Sequence, residues 1–154
     1  MTISRIIALR LQPEIRSDGV AFIRGSVLDR ETVAKCVAGA DFVFHLAANP
    51  NLWARDQRTF SKVNLDGTQC VLDAARAAEC RRIVYTSTES ILVGHRRRSG
   101  QVDEAVSLST DDVPGAYCRS KLLAEQYARR MAAEGAPISA QGNASSHVSR
   151  WLHE

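Results

Sequence analysis

Apolar and polar residues follow one another along this chain in blocks whose period changes. Ile6 to Leu9 is a short apolar run, followed by a polar stretch with Pro13, Asp18 and Gly19, and Val20 to Ile23 is a second run that ends at Gly25. Runs this short, bounded by turn residues, read as strands. Asp29 then stands where a helix N-cap is wanted, Val33 and Val37 stack one turn apart, and Gly39 closes the helix. Asp41 to Ala47 is nearly continuous in apolar residues, which predicts a central parallel strand covered on both faces. From Gln57 to Ala78 the pattern becomes helical, with Phe60, Val63, Gly67, Val71, Ala74 and Ala78 recurring at spacings of three and four. Arg82 to Thr86 is another strand and runs into the hydroxyl cluster Thr86-Ser87-Thr88. Residues 94–115 read as a polar loop, and Ala116 to Glu134 as a last helix closed by Gly135 and Pro137.

Strands alternating with helices imply a parallel sheet, with right-handed crossovers placing helices on both faces. After Ile138 the sequence turns polar and loses its period, so an ordered strand is not expected beyond a residue or two. The chain therefore divides into one α/β domain over residues 1–138 and an irregular polar tail over 139–154. At 154 residues and 45% hydrophobic composition it has enough apolar surface for one core. No run reaches the ~18 apolar residues of a membrane helix, and the first twenty residues hold no secretory core; a cytoplasmic location is the expectation. Cys36, Cys70, Cys80 and Cys118 form no C-x-x-C pair, so no metal site is expected. The net charge of +3 is mild. Its sharpest local expression, His95-Arg96-Arg97-Arg98, has no aromatic interleaving and reads as a solvated loop, not a nucleic-acid surface.

The candidate chemistry sits late in the chain. Tyr117 and Lys121 are four residues apart, which on a helix puts a phenol and an ammonium on one face. A neighbouring cation favours phenolate and suits a tyrosine to general acid/base work. That spacing alone is common. Its context is more telling, because Thr86-Ser87-Thr88 ends an inner strand, where α/β sheets place ligands, and a hydroxyl there could meet a substrate oxygen beside Tyr117.

Five stretches, in order, carry a resemblance: Gly25-Ser-Val-Leu-Asp29, Val43-Phe-His-Leu-Ala-Ala48, Val63-Asn-Leu-Asp-Gly-Thr68, Ile83-Val-Tyr-Thr-Ser-Thr88 and Tyr117-Cys-Arg-Ser-Lys121. Together they resemble the extended short-chain dehydrogenase/reductase family, also called the NAD-dependent epimerase/dehydratase family. Asn49 to Asp56 is similar to its dihydroflavonol-reductase-like branch, which includes hopanoid-associated sugar epimerases. The resemblance implies an incomplete Rossmann-type doubly wound parallel sheet. Ile6 to Leu9 matches the family's second strand, no G-x-x-G-x-x-G turn is present, and the C-terminal substrate lobe has no counterpart.

By the same resemblance, Tyr117 would be the general acid/base, and Lys121 would hold the nicotinamide ribose and lower the Tyr117 pKa. Thr88 would be the third catalytic hydroxyl, with Ser87 the second choice. Leu46, Ala47 and Ala48 would pass beneath the cofactor, and Asn64 would face the nicotinamide. Ser26 and Val27 would lie by the adenine, with Ser26 in place of the family's Asp. Arg10 could meet a 2′-phosphate, so the cofactor is NAD or NADP. The implied activity is an epimerase/dehydratase or reductase on a nucleotide sugar or a related secondary alcohol or ketone, in a homodimer packed through the long helix and the Tyr117/Lys121 helix. The alternative is a catalytically inactive fragment or interaction module of the same fold.

Overall fold

The computed structural model describes residues 6–10, 18–51, 53–92 and 108–141. The basic stretch at 95–98, most of the loop at 94–115 and the tail from 142 onward lie outside them. Among the described residues there are five strands: β1 (Ile6–Arg10), β2 (Val20–Arg24), β3 (Phe42–His45), β4 (Arg82–Thr86) and β5 (Ile138–Gln141). All pairings are parallel, in two sheets of order β1-β2 and β3-β4-β5.

The helices form where local chemistry starts and stops them. In α1 (Arg30–Val37) the Asp29 carboxylate accepts from the N–H groups of Glu31 and Thr32 at 3.1 Å, filling two of the donors a helix start leaves open. A three-part helical stretch follows β3: α2 (Arg58–Phe60), a π-helical segment (Ser61–Asp66) and α3 (Gly67–Ala77). At the junction Gly67 N–H bonds Lys62 O, five residues back. A Cβ on Gly67 would come within 2.7 Å of Val27 Cγ2, so this glycine lets the helix close onto the loop after β2. The last helix, α4 (Gly115–Ala133), opens on Gly115 at φ +68° and is followed by Gly135 at φ +92°.

Three expectations need correction. The described helices lie on one face, not two. One core joins Val37 of α1, Leu72 and Ala75 of α3, and Ala124, Ala128 and Met131 of α4 to Ile83 and Tyr85 of β4. The reason is directional: β2 to β3, β3 to β4 and β4 to β5 all step the same way, so right-handed crossovers bring each helix to the same side. Consequently β3 is covered on one face only. Val43 and His45 turn inward, while Phe42, Phe44 and, just beyond, Leu46 are 37%, 66% and 68% exposed. Finally, the strand not expected to run more than a residue or two past Ile138 continues to Gln141 as β5, which pairs with β4 from Ile83–Ile138 to Thr86–Gln141. Ladder bonds come from the backbone, so a polar sequence such as Ser139-Ala140-Gln141 can still extend a strand beside β4.

Among the described residues nothing pairs with the outer edge of β1 or of β3. The two edges meet over a common layer in which Leu9 and Val43 pack with Val27, Val33, Cys70, Val71 and Ala74. An incomplete parallel sheet of Rossmann type, with a gap between β1 and β3, is therefore what these residues build.

Candidate active site

Parallel strands gather their C-terminal ends at one side of the sheet, and the candidate residues collect there. β4 delivers Thr86, Ser87 and Thr88. Their side chains have different surroundings. Ser87 is 5% exposed and its hydroxyl donates to the Glu125 carboxylate. Thr88 is extended (φ −148°, ψ 144°), half-buried, and its Oγ1 accepts from Ser90 N–H at 3.3 Å, capping the short 3-10 turn Glu89–Ile91. Of the two hydroxyls, Thr88 is thus the more open.

Helix α4 brings Tyr117 and Lys121 to this strand end. Lys121 is 4% exposed, donates from Nζ to Thr86 O at 2.8 Å, and lies 4.7 Å from the centroid of the Tyr85 ring. Burial brings its ammonium down to about 8, with the negative charge of Glu125 acting in the opposite direction. Tyr117 is half-buried, edge-on to Phe60 at 6.4 Å, and packs against the cluster of Ile91, Val113, Cys118 and Leu122. Its backbone carbonyl accepts from Ser120 Oγ at 2.7 Å.

Beneath this pair lies a polar seam that the hydrophobic pattern did not disclose. Asn64 is 1% exposed. Its Oδ1 accepts from Asn49 N–H at 2.7 Å, and its Nδ2 donates to Asn49 O at 3.3 Å and to Ser120 Oγ at 2.9 Å. Asn64, expected to face the nicotinamide, has its carboxamide sealed from solvent and bonded to protein partners. It clamps the loop after β3 to the Tyr117 turn of α4. Alongside, Thr68 Oγ1 donates to Asn64 O at 2.6 Å and therefore accepts from His45 Nε2 at 2.9 Å, which fixes the proton on that nitrogen. His45 is pushed down to about 4, first by burial and then by the positive charge of Lys121.

Tyr85 is the least satisfied member. Its buried hydroxyl makes no well-formed hydrogen bond among the described residues, and burial, reinforced by Glu125, pushes its phenol upward against a weaker opposing effect of nearby Ser87. An unpaired buried hydroxyl costs about 1–3 kcal/mol. Tyr85→Phe is accordingly expected to raise stability by about 1 kcal/mol, seen as a higher urea midpoint at unchanged slope; a drop of that size would show that the hydroxyl is satisfied.

The other candidates are distributed along the same side. Leu46 and Ala47 are exposed and Ala48 is half-buried, so small side chains line an open strand end. Ser26 follows β2, its Oγ accepting from Leu28 N–H at 3.2 Å, and Val27 packs toward Gly67. Arg10 closes β1 opposite Arg24; its side chain lies outside what the structure describes. Among the described residues no three His, Cys, Asp or Glu side chains gather as a metal would require, and no helix is long and apolar enough to cross a membrane.

A parallel α/β sheet with a buried lysine and a tyrosine one turn apart at its strand ends defines an incomplete Rossmann-type scaffold. The sequence matches the 3-beta hydroxysteroid dehydrogenase/isomerase family over residues 5–144, and the chain belongs to that family, within the short-chain dehydrogenase/reductase group of NAD-dependent epimerases and dehydratases. It is 35% identical over 133 residues to a 2-alkyl-3-oxoalkanoate reductase of Stenotrophomonas maltophilia, covering 82% of this chain and 38% of that protein. It is 33% identical over 113 residues to a putative dihydroflavonol 4-reductase of Synechocystis, covering 73% and 32%. Among solved structures, MoeE5 in complex with UDP-glucuronic acid and NAD superposes with a TM-score of 0.71 at 28% identity, covering 90% of this chain and 45% of that one. The chain thus spans less than half the length of each.

Proposed function

We propose that this chain carries the dinucleotide-facing and proton-transferring part of an NAD(P)-dependent epimerase/dehydratase or reductase acting on a nucleotide sugar or a related secondary alcohol or ketone. The observation that carries the reading is Lys121, a nearly buried ammonium anchored on Thr86 O with Tyr117 one turn before it. A cation is costly to bury without a purpose. The residues present suit a nicotinamide dinucleotide: Lys121 would hold the ribose, Ala47 and Ala48 leave room beneath it, and Ser26, Val27 and Arg10 end the strands toward the adenine side. A nicotinamide held there by Lys121 would supply hydride exchange at the carbon bearing the substrate oxygen. Tyr117 exchanges the proton of that oxygen, Lys121 favours its phenolate, and Thr88 donates a hydrogen bond to the substrate oxygen. The bound NAD and UDP-sugar of the MoeE5 complex support the cofactor and substrate class; the reductase relative supports a ketone as the alternative substrate. A homodimer through the helical stretch 58–77 and α4 belongs to the same reading.

Titration with NADH and NADPH, followed by quenching of the exposed Trp53, is expected to saturate with a Kd of about 1 mM, some 4 kcal/mol. Lys121→Met should weaken this about tenfold, the loss of one charge-assisted hydrogen bond. Absence of saturation at several times the expected Kd sinks the reading. It would favour the second one, an interaction module of the same fold, to which the exposed Phe44 and Leu46 lend support.

A further inference from the structure

Tyr117, Lys121, Glu125 and Arg129 follow one another at four-residue steps on one face of α4. The third of these is unassigned so far, and its placement is unusual for a carboxylate. Glu125 is 8% exposed. One oxygen accepts from the buried Ser87 hydroxyl, and the other accepts from Arg129 Nε and Nη2 at 2.8 Å, while the Arg129 side chain itself is 55% exposed. A solvent-facing i,i+4 ion pair contributes about 0.3–0.5 kcal/mol and gives no reason to bury its acid beneath a strand end. Here the acid points inward, toward β4 and the lysine one turn earlier.

We propose that Glu125 is a positioning residue for the Tyr117/Lys121 pair: its buried carboxylate, one turn along the same face of α4 and bonded to Ser87, is the negative charge that keeps the Lys121 ammonium at the end of β4, and it fixes Ser87 in the core so that Thr88, bonded only to Ser90 among the described residues, is the more open hydroxyl. This rests on the reading of Tyr117 and Lys121 as the proton-transferring pair. The groups that face Lys121 are Thr86 O and the Tyr85 ring from β4, His45 from β3, and Tyr117 and Glu125 from α4. Of these, His45 is held neutral through the ordinary range by its burial, and Tyr85 is held protonated. Glu125 is left as the negative charge at this end of the site, and Arg129 moderates it from the solvent side. The carboxylate thereby sets how readily Lys121 keeps its proton. By accepting the Ser87 hydrogen bond it also turns that side chain into the core.

The test uses the ionisation of Lys121 itself, in the full chain without cofactor. The lysines are Lys35, Lys62 and Lys121, so a protein labelled with 13Cε-lysine gives resolved titrations with two exposed internal references. Lys121 is expected to titrate near pH 8 in the unmodified chain and about one unit lower in Glu125→Gln, with Lys35 and Lys62 unmoved. Glu125→Asp, which restores the charge, should recover most of the shift. An unchanged Lys121 midpoint in Glu125→Gln overturns the proposal, as does a shift that Glu125→Asp fails to reverse. Should Glu125→Gln not fold, Arg129→Met decides: freed from its partner, Glu125 is expected to raise the Lys121 midpoint, and a midpoint that stays or falls overturns the proposal. Because no dinucleotide is present, failure of cofactor binding and failure of this coupling are separate results.

Discussion

Asn64→Leu is expected to destabilise the chain by about 3–5 kcal/mol, the largest loss anticipated from a single polar side chain. Leucine fits the volume but offers no hydrogen bond, so Asn49 N–H loses the acceptor it has at 2.7 Å, and Asn49 O and Ser120 Oγ lose a donor. Each buried group left unpaired costs about 1–3 kcal/mol, which is why the total exceeds the net worth of the bonds removed. The damage also has a direction. The clamp joins the loop carrying Ala47 and Ala48 to the α4 turn carrying Tyr117, so the two walls of the candidate site would part together. Urea unfolding measures the loss, and a change under about 1 kcal/mol would mean that water takes over the vacated partners.

The second large effect is acid sensitivity centred on His45. The unfolded chain takes up a proton near the ordinary value of 6.5, whereas the folded chain resists until about pH 4. Between those values the unfolded state binds more protons, so stability falls as the pH falls. The difference of about 2.5 units corresponds to about 3 kcal/mol, lost almost entirely between pH 6.5 and pH 4. His45→Gln keeps a donor for Thr68 Oγ1 but cannot titrate, and its stability curve should be flatter through that window. Parallel curves for the two proteins would place the acid response elsewhere.

The strands and α1 were legible because their signals are local: apolar runs, the Asp29 cap, and closing glycines. The long helix was legible in extent and partly in its inward face. Of the expected stripe, Phe60, Gly67 and Val71 are buried and Val63, Ala74 and Ala78 half-buried, whereas Asn64, Thr68, Leu72 and Ala75 are buried positions outside it. The π-helical segment adds a residue to one turn, and the inward polar residues it presents satisfy one another, so hydropathy cannot find them. That Tyr117 and Lys121 share one face of a helix could be read from their spacing, and that Thr88 lies at a strand end from its place in the chain. Glu125 could have been found by extending the same four-residue step once more. His45 sat inside an apolar run and passed as strand filler. The choice between Ser87 and Thr88 needed the third dimension, because alternation along a strand end says that two hydroxyls part, not which one the core takes.

The gap between β1 and β3 has a consequence for cooperativity. In a continuous sheet the backbone ladder couples every strand to its neighbours, and opening one region exposes the next. Among the described residues no such ladder crosses from β1-β2 to β3-β4-β5. The two are joined by the connection through α1 and by the packing of Leu9, Val27 and Val33 against Val43 and Val71. The molecule is therefore best regarded as two folding units with a side-chain hinge. Tyr117 and Lys121 sit wholly in the larger unit, and the strand ends proposed for the adenine side sit in the smaller one. On the proposed reading, fluctuation of the smaller unit would change how firmly a dinucleotide is gripped and leave the Tyr117/Lys121 geometry standing.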